Sequence, residues 1–348
     1  MKSFAQGFIE QPPITQQLLQ TIRLIGEYKG KQELFKEQAP QALETLRQAA
    51  IIQSTESSNR IEGITAPLER IKQLVAEKTT PRDRSEQEIA GYRNVLDTIH
   101  ASYAHIPFTT GIVLQLHRDL YQFSVAQGGR WKTANNEISE TRPDGTKFVR
   151  FQPVPAFETP EAMERLHERF NYLWQSGEVE PLLLIPTYVL DFLCIHPFLD
   201  GNGRMARLLT LLLLYQAGYE VGRFISLERI VERTKESYYD TLYQSSQNWH
   251  QGQHSLLPWY SYFLGVIVLS AYREFEQRVG LVASARGAKT AMVLEAIANL
   301  PREFSIKDLQ ERCPTVGVDL IRRILRQERE AKRLKCLGRG ADARWQRQ

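Results

Sequence analysis

The stretch His196-Pro197-Phe198-Leu199-Asp200-Gly201-Asn202-Gly203-Arg204-Met205-Ala206-Arg207 decides how this chain is read. It lies between two apolar runs, Tyr188 to Ile195 and Leu208 to Leu214, and predicts a tight polar loop joining two buried helices. Pro197 disfavours helical dihedrals at the residue before it, so the first helix should end near His196. A helix C-terminus carries partial negative charge, which predicts a strengthened base at His196. Gly201 and Gly203 permit backbone conformations that turn successive N–H groups inward as an anion nest, and a helix starting near Arg204 adds its positive end. Asp200 is a hard oxygen ligand suited to a Mg²⁺ ion that keeps several waters and bridges phosphate oxygens. Arg204 and Arg207, three apart on one helical face, offer planar forks for the outer phosphates of a triphosphate. A His-Pro step or a Gly-Asn-Gly turn alone is usually structural; at this spacing the set describes phosphate chemistry.

Residues 196–207 also fit, at every defined position, the pattern His-x-Phe-x-Asp/Glu-Gly-Asn-Gly-Arg-x-x-Arg, and by it the chain resembles the Fic-domain proteins. The resemblance implies an all-α, mainly helical fold with one β-hairpin flap, and a protein adenylyltransferase using ATP as co-substrate and Mg²⁺ as cofactor. It assigns His196 as the base that deprotonates a Ser, Thr or Tyr hydroxyl of a target protein, whose oxygen then attacks the α-phosphate. Phe198 becomes the anchor of the loop and Asp200 the Mg²⁺ ligand. Gly201, Asn202 and Gly203 become the α- and β-phosphate cradle, and Arg204 and Arg207 the β- and γ-phosphate clamps. The same scaffold also admits transfer of another phosphate-containing group, or removal of AMP.

A second motif lies upstream. Residues 41–63 have a helical pattern ending in Ser58-Asn59-Arg60-Ile61-Glu62-Gly63, with Gly63 as C-cap and Ser58 and Glu62 as i,i+4 neighbours. A Glu in a last helical turn opposes the macrodipole at a cost of about 0.3–1 kcal/mol, which points to a compensating cation. The string resembles the Ser/Thr-x-x-x-Glu-Gly/Asn inhibitory motif that class II Fic proteins carry N-terminal to the core. That resemblance implies regulatory roles for Ser58 and Glu62, with Glu62 occupying the fork of Arg207 and so restraining the enzyme.

The segment 136–151 contains Pro143-Asp144-Gly145, a strong turn signal, followed by alternating Lys147 to Phe151. It resembles the family's flap, whose edge pairs with the backbone of a target protein. The preceding Gly129-Arg130-Trp131-Lys132-Thr133 has Lys132 where the family usually has Arg, a departure expected to touch the anchoring of the flap rather than the chemistry. Tyr239, in Ser237-Tyr238-Tyr239-Asp240, resembles the family's adenine-contacting tyrosine. Some relatives carry an Asn seven residues later, where this chain has Ser246.

At 348 residues, 42% hydrophobic and 24% charged, the chain has the composition of a globular protein with room for two or three domains. Its apolar runs fall short of the ~20 residues of a membrane span, and residues 1–7 lack the apolar core of a secretory signal, so the expected compartment is the cytoplasm, with no membrane partner. Cys194, Cys313 and Cys336 are isolated, without metal-ligand spacing. The expected organisation is an N-terminal helical region at 1–105 interrupted at Pro12-Pro13 and Thr79-Thr80-Pro81, a core at 106–250, a helical connector at 251–284 and a last domain at 285–348. Ala283-Ser284-Ala285-Arg286-Gly287 reads as a small-residue linker, and the short helices and Gly338–Gly340 hairpin after it resemble a small winged helix-turn-helix domain. From residue 286 the chain carries +7 against +4 for the whole, and Arg322, Arg323, Arg326 and Arg329 share one predicted helix. DNA and protein both suit such a surface, which leaves a DNA-binding regulator as the alternative function. The resemblance also admits a homodimer.

Overall fold

A computed structural model describes residues 2–5, 7–9, 14–38, 40–77, 79–141, 144–313, 316–338 and 343–347. The breaks expected at Pro12-Pro13, the Arg142-Pro143 half of the flap turn and Gly340 lie outside them. The chain forms two compact units, Met1–Glu276 and Gln277–Gln348.

The first unit opens with helices α1 (Gln16–Gln38), α2 (Pro40–Ile61) and α3 (Leu68–Lys72), then α4 (Arg84–Ser102) and α5 (Thr110–Leu120). A hairpin follows, β1 (Ile138–Thr141) and β2 (Lys147–Phe151), and then α6 (Thr159–Ser176), α7 (Pro181–Ile195) and α8 (Asn202–Gln216). Next come α9 (Leu227–Arg233), α10 (Lys235–Ser246) and α11 (Leu257–Tyr260), and a π-helical stretch leads into α12 (Leu269–Asn299). The first 105 residues do not stand apart, since α2 and α4 pack on each other, α4 packs on α8, and α2 packs on α9.

The centre is the pair α7 and α8. Both are apolar around nearly their whole circumference, with Leu184, Tyr188, Phe192, Leu208, Leu211 and Leu214 all 1% exposed or less, and a helix of that kind is stable only when covered on every side. Helix α6 covers α7, and α4 covers α8. Pro181 starts α7 at a position where its missing N–H is no loss. The loop between the pair is therefore a polar insert at the middle of the core. The hairpin pairs antiparallel from Thr141↔Lys147 to Ser139↔Val149, then slips at Arg150 to Ile138↔Phe151.

In the second unit, β3 (Glu303–Ser305), α13 (Ile306–Arg312), α14 (Val318–Glu330), β4 (Leu334–Cys336) and β5 (Arg344–Arg347) follow the end of α12, and the sheet order is β3-β5-β4. Leu309, Ile321, Leu325 and Trp345 form its core. The expected linker at Ala283–Gly287 is helical, within α12. Small residues do not end a helix; Ala favours one, and only Gly287 costs about 1 kcal/mol there. Among the described residues no helix is long and apolar enough to cross a membrane.

Candidate active site

Helix α7 ends on His196, which adopts a left-handed φ of 51° while its N–H still donates to Phe192 O at 2.8 Å. The left-handed region costs a non-glycine residue about 1–2 kcal/mol, so the turn persists only because its surroundings fix it. Phe198 is buried and stacks on His117, with ring centroids 3.6 Å apart and planes within 5°. His117 also binds the loop through Nε2, 3.1 Å from Asp200 O. Asn202 closes the loop by accepting from Phe198 N–H at 2.9 Å and donating to Phe198 O at 2.8 Å. Its side chain thus shapes the cradle, and only its backbone is left for a ligand. Gly201 turns with φ 82°, and α8 starts at Asn202, so its first-turn N–H groups are free of intrahelical partners.

His196 does not become the strengthened base expected at a helix end. Its imidazole is pushed down to about 4, chiefly by burial, with Leu193 O opposing, the Lys132 charge adding a smaller lowering, and Glu62 and Asp200 raising it less still. The negative end of α7 is met instead by Lys132, buried, with Nζ 2.9 Å from Ile195 O. Lys132, expected to bear on the anchoring of the flap, therefore touches the turn that carries His196. Burial pulls its own ammonium down to about 8.

The two arginines also part company. Arg207 lies in the cleft, donating from Nε to Ser58 Oγ at 2.8 Å and from Nη2 to Ser58 O at 2.9 Å and Glu62 Oε1 at 2.7 Å. Burial works against its charge, but Glu62 beside it holds the guanidinium above its ordinary value. Arg204 is 1% exposed and points into the protein, with Nη1 2.7 Å from Glu88 Oε2 and Nη2 2.9 Å from the Tyr121 hydroxyl. It braces the loop and, unlike the outer-phosphate clamp expected of it, does not line the cleft, because Glu88 of α4 holds Nη1 while Tyr121 and Asp200 take Nη2. Asp200 accepts from the Tyr121 hydroxyl at 2.8 Å and from Gly201 N–H at 2.7 Å, and its carboxylate is 66% exposed. Although partial burial opposes it, the Tyr121 hydrogen bond and Arg204 hold Asp200 below its ordinary value, so it stays ionised.

Glu62 follows the last turn of α2. Ile64 N–H donates to Asn59 O and Gly63 N–H to Arg60 O, each at 3.0 Å, with Gly63 at φ 79°, which is a Schellman cap. Lys235 Nζ meets Ile61 O at 2.8 Å, and Arg60 pairs with Glu232 at 3.2 Å, so the end of α2 is fastened where α9 meets α10.

These groups border one cleft of ≈ 910 Å³, lined by Glu62, His196, Asp200 to Gly203, Arg207 and Lys235, by Ile138 to Glu140 and Arg150 of the hairpin, and by Tyr239, Tyr243 and Ser246 of α10. Tyr239 is half-buried, and burial pushes its hydroxyl up. Sequence reading missed Glu88, Tyr121 and His117. The last two were within reach: they are i,i+4 at the end of α5, which Tyr121 caps, on the side that also buries Val113, Leu116 and Leu120.

The Fic/DOC family model matches residues 107–214, a span that includes the whole loop. A curated relative, "Protein adenylyltransferase Fic" of Drosophila grimshawi, is 28% identical over 191 residues, which cover 52% of this chain and 36% of that one. The chain thus spans about a third of that relative's length. The crystal structure of a Fic family protein from Desulfovibrio desulfuricans G20 superposes with a TM-score of 0.62 at 23% identity, covering 97% of this chain and 98% of that one, and so shares its fold. A Fido domain-containing protein of Dictyostelium discoideum is 31% identical over 97 residues, 24% of this chain and 68% of its own length. Matched by the family model across the 196–207 loop and by relatives in sequence and fold, this chain belongs to the Fic/DOC family.

Proposed function

We propose that this protein transfers AMP from Mg·ATP to a Ser, Thr or Tyr hydroxyl of target proteins, and of itself, under restraint from Glu62. One juxtaposition carries the reading: the imidazole of His196, the start of α8 and the fork of Arg207 border the same cleft. His196 Nδ1 lies 3.3 Å from Leu193 O, and since a carbonyl only accepts, Nδ1 carries the proton and Nε2 keeps its lone pair. As the acceptor oxygen bonds to the α-phosphorus, Nε2 takes the hydroxyl proton, the bond from α-phosphorus to the bridging oxygen breaks, and pyrophosphate leaves with the electron pair. A base near 4 is weak, so its share is at the lower end of the usual ~10²–10⁴-fold, and positioning and charge neutralisation contribute more. The first-turn N–H groups of α8 suit phosphate oxygens, and Arg207 suits an outer phosphate. Tyr239 is the candidate wall for the adenine.

Asp200 fits a Mg²⁺ ion: it is one exposed, ionised carboxylate with room for waters beside it. The ion, when bound, neutralises phosphate charge. Glu62 occupies the Arg207 fork in the restrained state, and withdrawal of the α2 end frees it. The Drosophila relative's name supports the same chemistry.

Intact mass after incubation with Mg·ATP tests the reading. An added AMP in Glu62→Gly, weaker in wild type and missing in His196→Ala, is the expected result. No added mass in any variant, even with candidate acceptor proteins present, overturns it, and an added mass other than AMP points to another donor group. Loss of AMP from pre-modified protein, dependent on Glu62, makes removal the main activity.

A second reading attaches to residues 277–348. The order β3-α13-α14-β4-β5 suits a winged helix-turn-helix, and α14 exposes Arg322, Arg323, Arg326 and Arg329 while burying Ile321, Ile324 and Leu325. That basic face suits duplex DNA.

A further inference from the structure

The left-handed turn at His196 is held from outside its own loop. Asn202 fixes the loop at Phe198, and the end of α7 leaves its last carbonyls without intrahelical donors. Those carbonyls are met from the segment before the hairpin. Lys132 Nζ donates to Ile195 O at 2.9 Å, and Lys132 N–H donates to Pro197 O at 2.8 Å. Asn136 Nδ2 donates to Phe198 O at 2.9 Å and to His196 O at 3.3 Å, while its Oδ1 accepts from Lys132 Nζ at 2.8 Å. Two residues thus reach the four consecutive carbonyls 195–198 and each other. Lys132 is only 3% exposed, and both acceptors of its ammonium, Ile195 O and Asn136 Oδ1, are neutral, an arrangement that burial disfavours unless something offsets it. The negative end of α7 is that offset.

We propose that Lys132 and Asn136 are positioning residues for the base, clasping carbonyls 195–198 so that His196 keeps the left-handed backbone that places its imidazole on the cleft. The inference rests on the reading of His196 as proton acceptor, and it assigns a role to a segment that belongs to neither the catalytic loop nor the hairpin strands. The Lys132 charge acts on the imidazole as well: it lowers it, while Glu62 from the end of α2 and Asp200 from the loop raise it. Lys132 therefore sets both where the base sits and how readily it is protonated.

The test uses the full chain in the Glu62→Gly background. Lys132→Met keeps the apolar stem and removes donors and charge, Lys132→Arg returns both, and Asn136→Ala removes only the amide. We expect Lys132→Met and Asn136→Ala to lower kcat by roughly 10- to 100-fold, with KM for Mg·ATP changed by less than about 3-fold, and Lys132→Arg to recover most of the loss. Titration of isotope-labelled His196 by NMR, assigned with His196→Gln, should move up in Lys132→Met and stay near the parent value in Lys132→Arg. Unchanged kcat, a fall matched by loss of folded protein, or an unmoved titration overturns the clasp. If Lys132→Met does not fold, Asn136→Ala and Lys132→Arg decide by the same kcat and KM split. If the Glu62→Gly parent itself transfers no AMP, the adenylylation reading fails, while the His196 titration still decides the clasp.

Discussion

At Gly203 the loop between α7 and α8 and the end of α2 meet with no space between them. A Cβ there would run into the Glu62 carboxylate and stand 3.3 Å from Arg207 Nη1. The Glu62 head is the free end of a flexible side chain, so Gly203→Ala should displace it from Arg207 rather than disrupt α8. The pair is partly buried, at 6% and 31% side-chain exposure, and its loss is worth ~1 kcal/mol. We expect that penalty in urea denaturation of Gly203→Ala and its near disappearance when Glu62→Gly is already present. Additive penalties would mean that the methyl acts elsewhere. The residue scale is also where sequence reading divides. The end of α7 at His196 and the turn at Gly201 were legible because Pro197 and the glycine dictate them locally. The divergence of Arg204 and Arg207 was not, since three residues on a helix leave side chains about 60° apart and the choice between cleft and core is made by Glu88, 116 positions earlier.

A two-stranded hairpin is marginal by itself, so the flap depends on what it leans against. The register slip at Arg150 is a bulge, which re-aims a side chain, and Arg150 turns to α10. It reaches Asp240 Oδ1 at 3.1 Å and Tyr239 O at 3.4 Å, and its guanidinium lies 4.9 Å from the centre of the Tyr243 ring, while Nη1 holds Glu140 across the hairpin at 2.8 Å. One side chain therefore ties both strands to α10. Arg150→Ala should remove ~1 kcal/mol of that attachment and raise hydrogen exchange at 139–141 and 147–150 by about 5- to 10-fold, leaving α7 and α8 protected. Unchanged exchange would mean that the ring contacts of Phe148 with Tyr243 and of Phe151 with His250 hold the hairpin without it. The existence of the hairpin followed from Asp144-Gly145, a local signal. Its slip at Arg150 did not, because a bulge is fixed by partners in α10 that no local pattern names. For the same reason the helix through Ala283–Gly287 escaped notice: its small residues allow a linker and a helix equally.

Charge is distributed over the whole molecule so that the two units differ in sign. Residues 277–348 carry 16 Lys+Arg and 8 Asp+Glu, a net +8, which leaves −4 on residues 1–276. A potential of one sign on a small unit attracts a polyanion, and the exposed arginines of α14 give it a face. This asymmetry was readable in the sequence, whereas the exposure of each arginine required the burial of Ile321, Ile324 and Leu325 to set the helix face. If α14 meets duplex DNA, each phosphate it neutralises releases counterions, and the affinity must fall with salt. For four arginines the slope of log K against log salt concentration should be about −3 to −4. Charge reversal at Arg322, Arg323, Arg326 and Arg329 to Glu should abolish binding in a fluorescence-anisotropy titration with a duplex of mixed sequence at low salt. Binding that survives the reversal, or that ignores salt, would remove DNA as the partner of this face. A protein partner would then be the reading left for the second unit, and a cross-linking experiment on the same quadruple variant would be compared with wild type to find it.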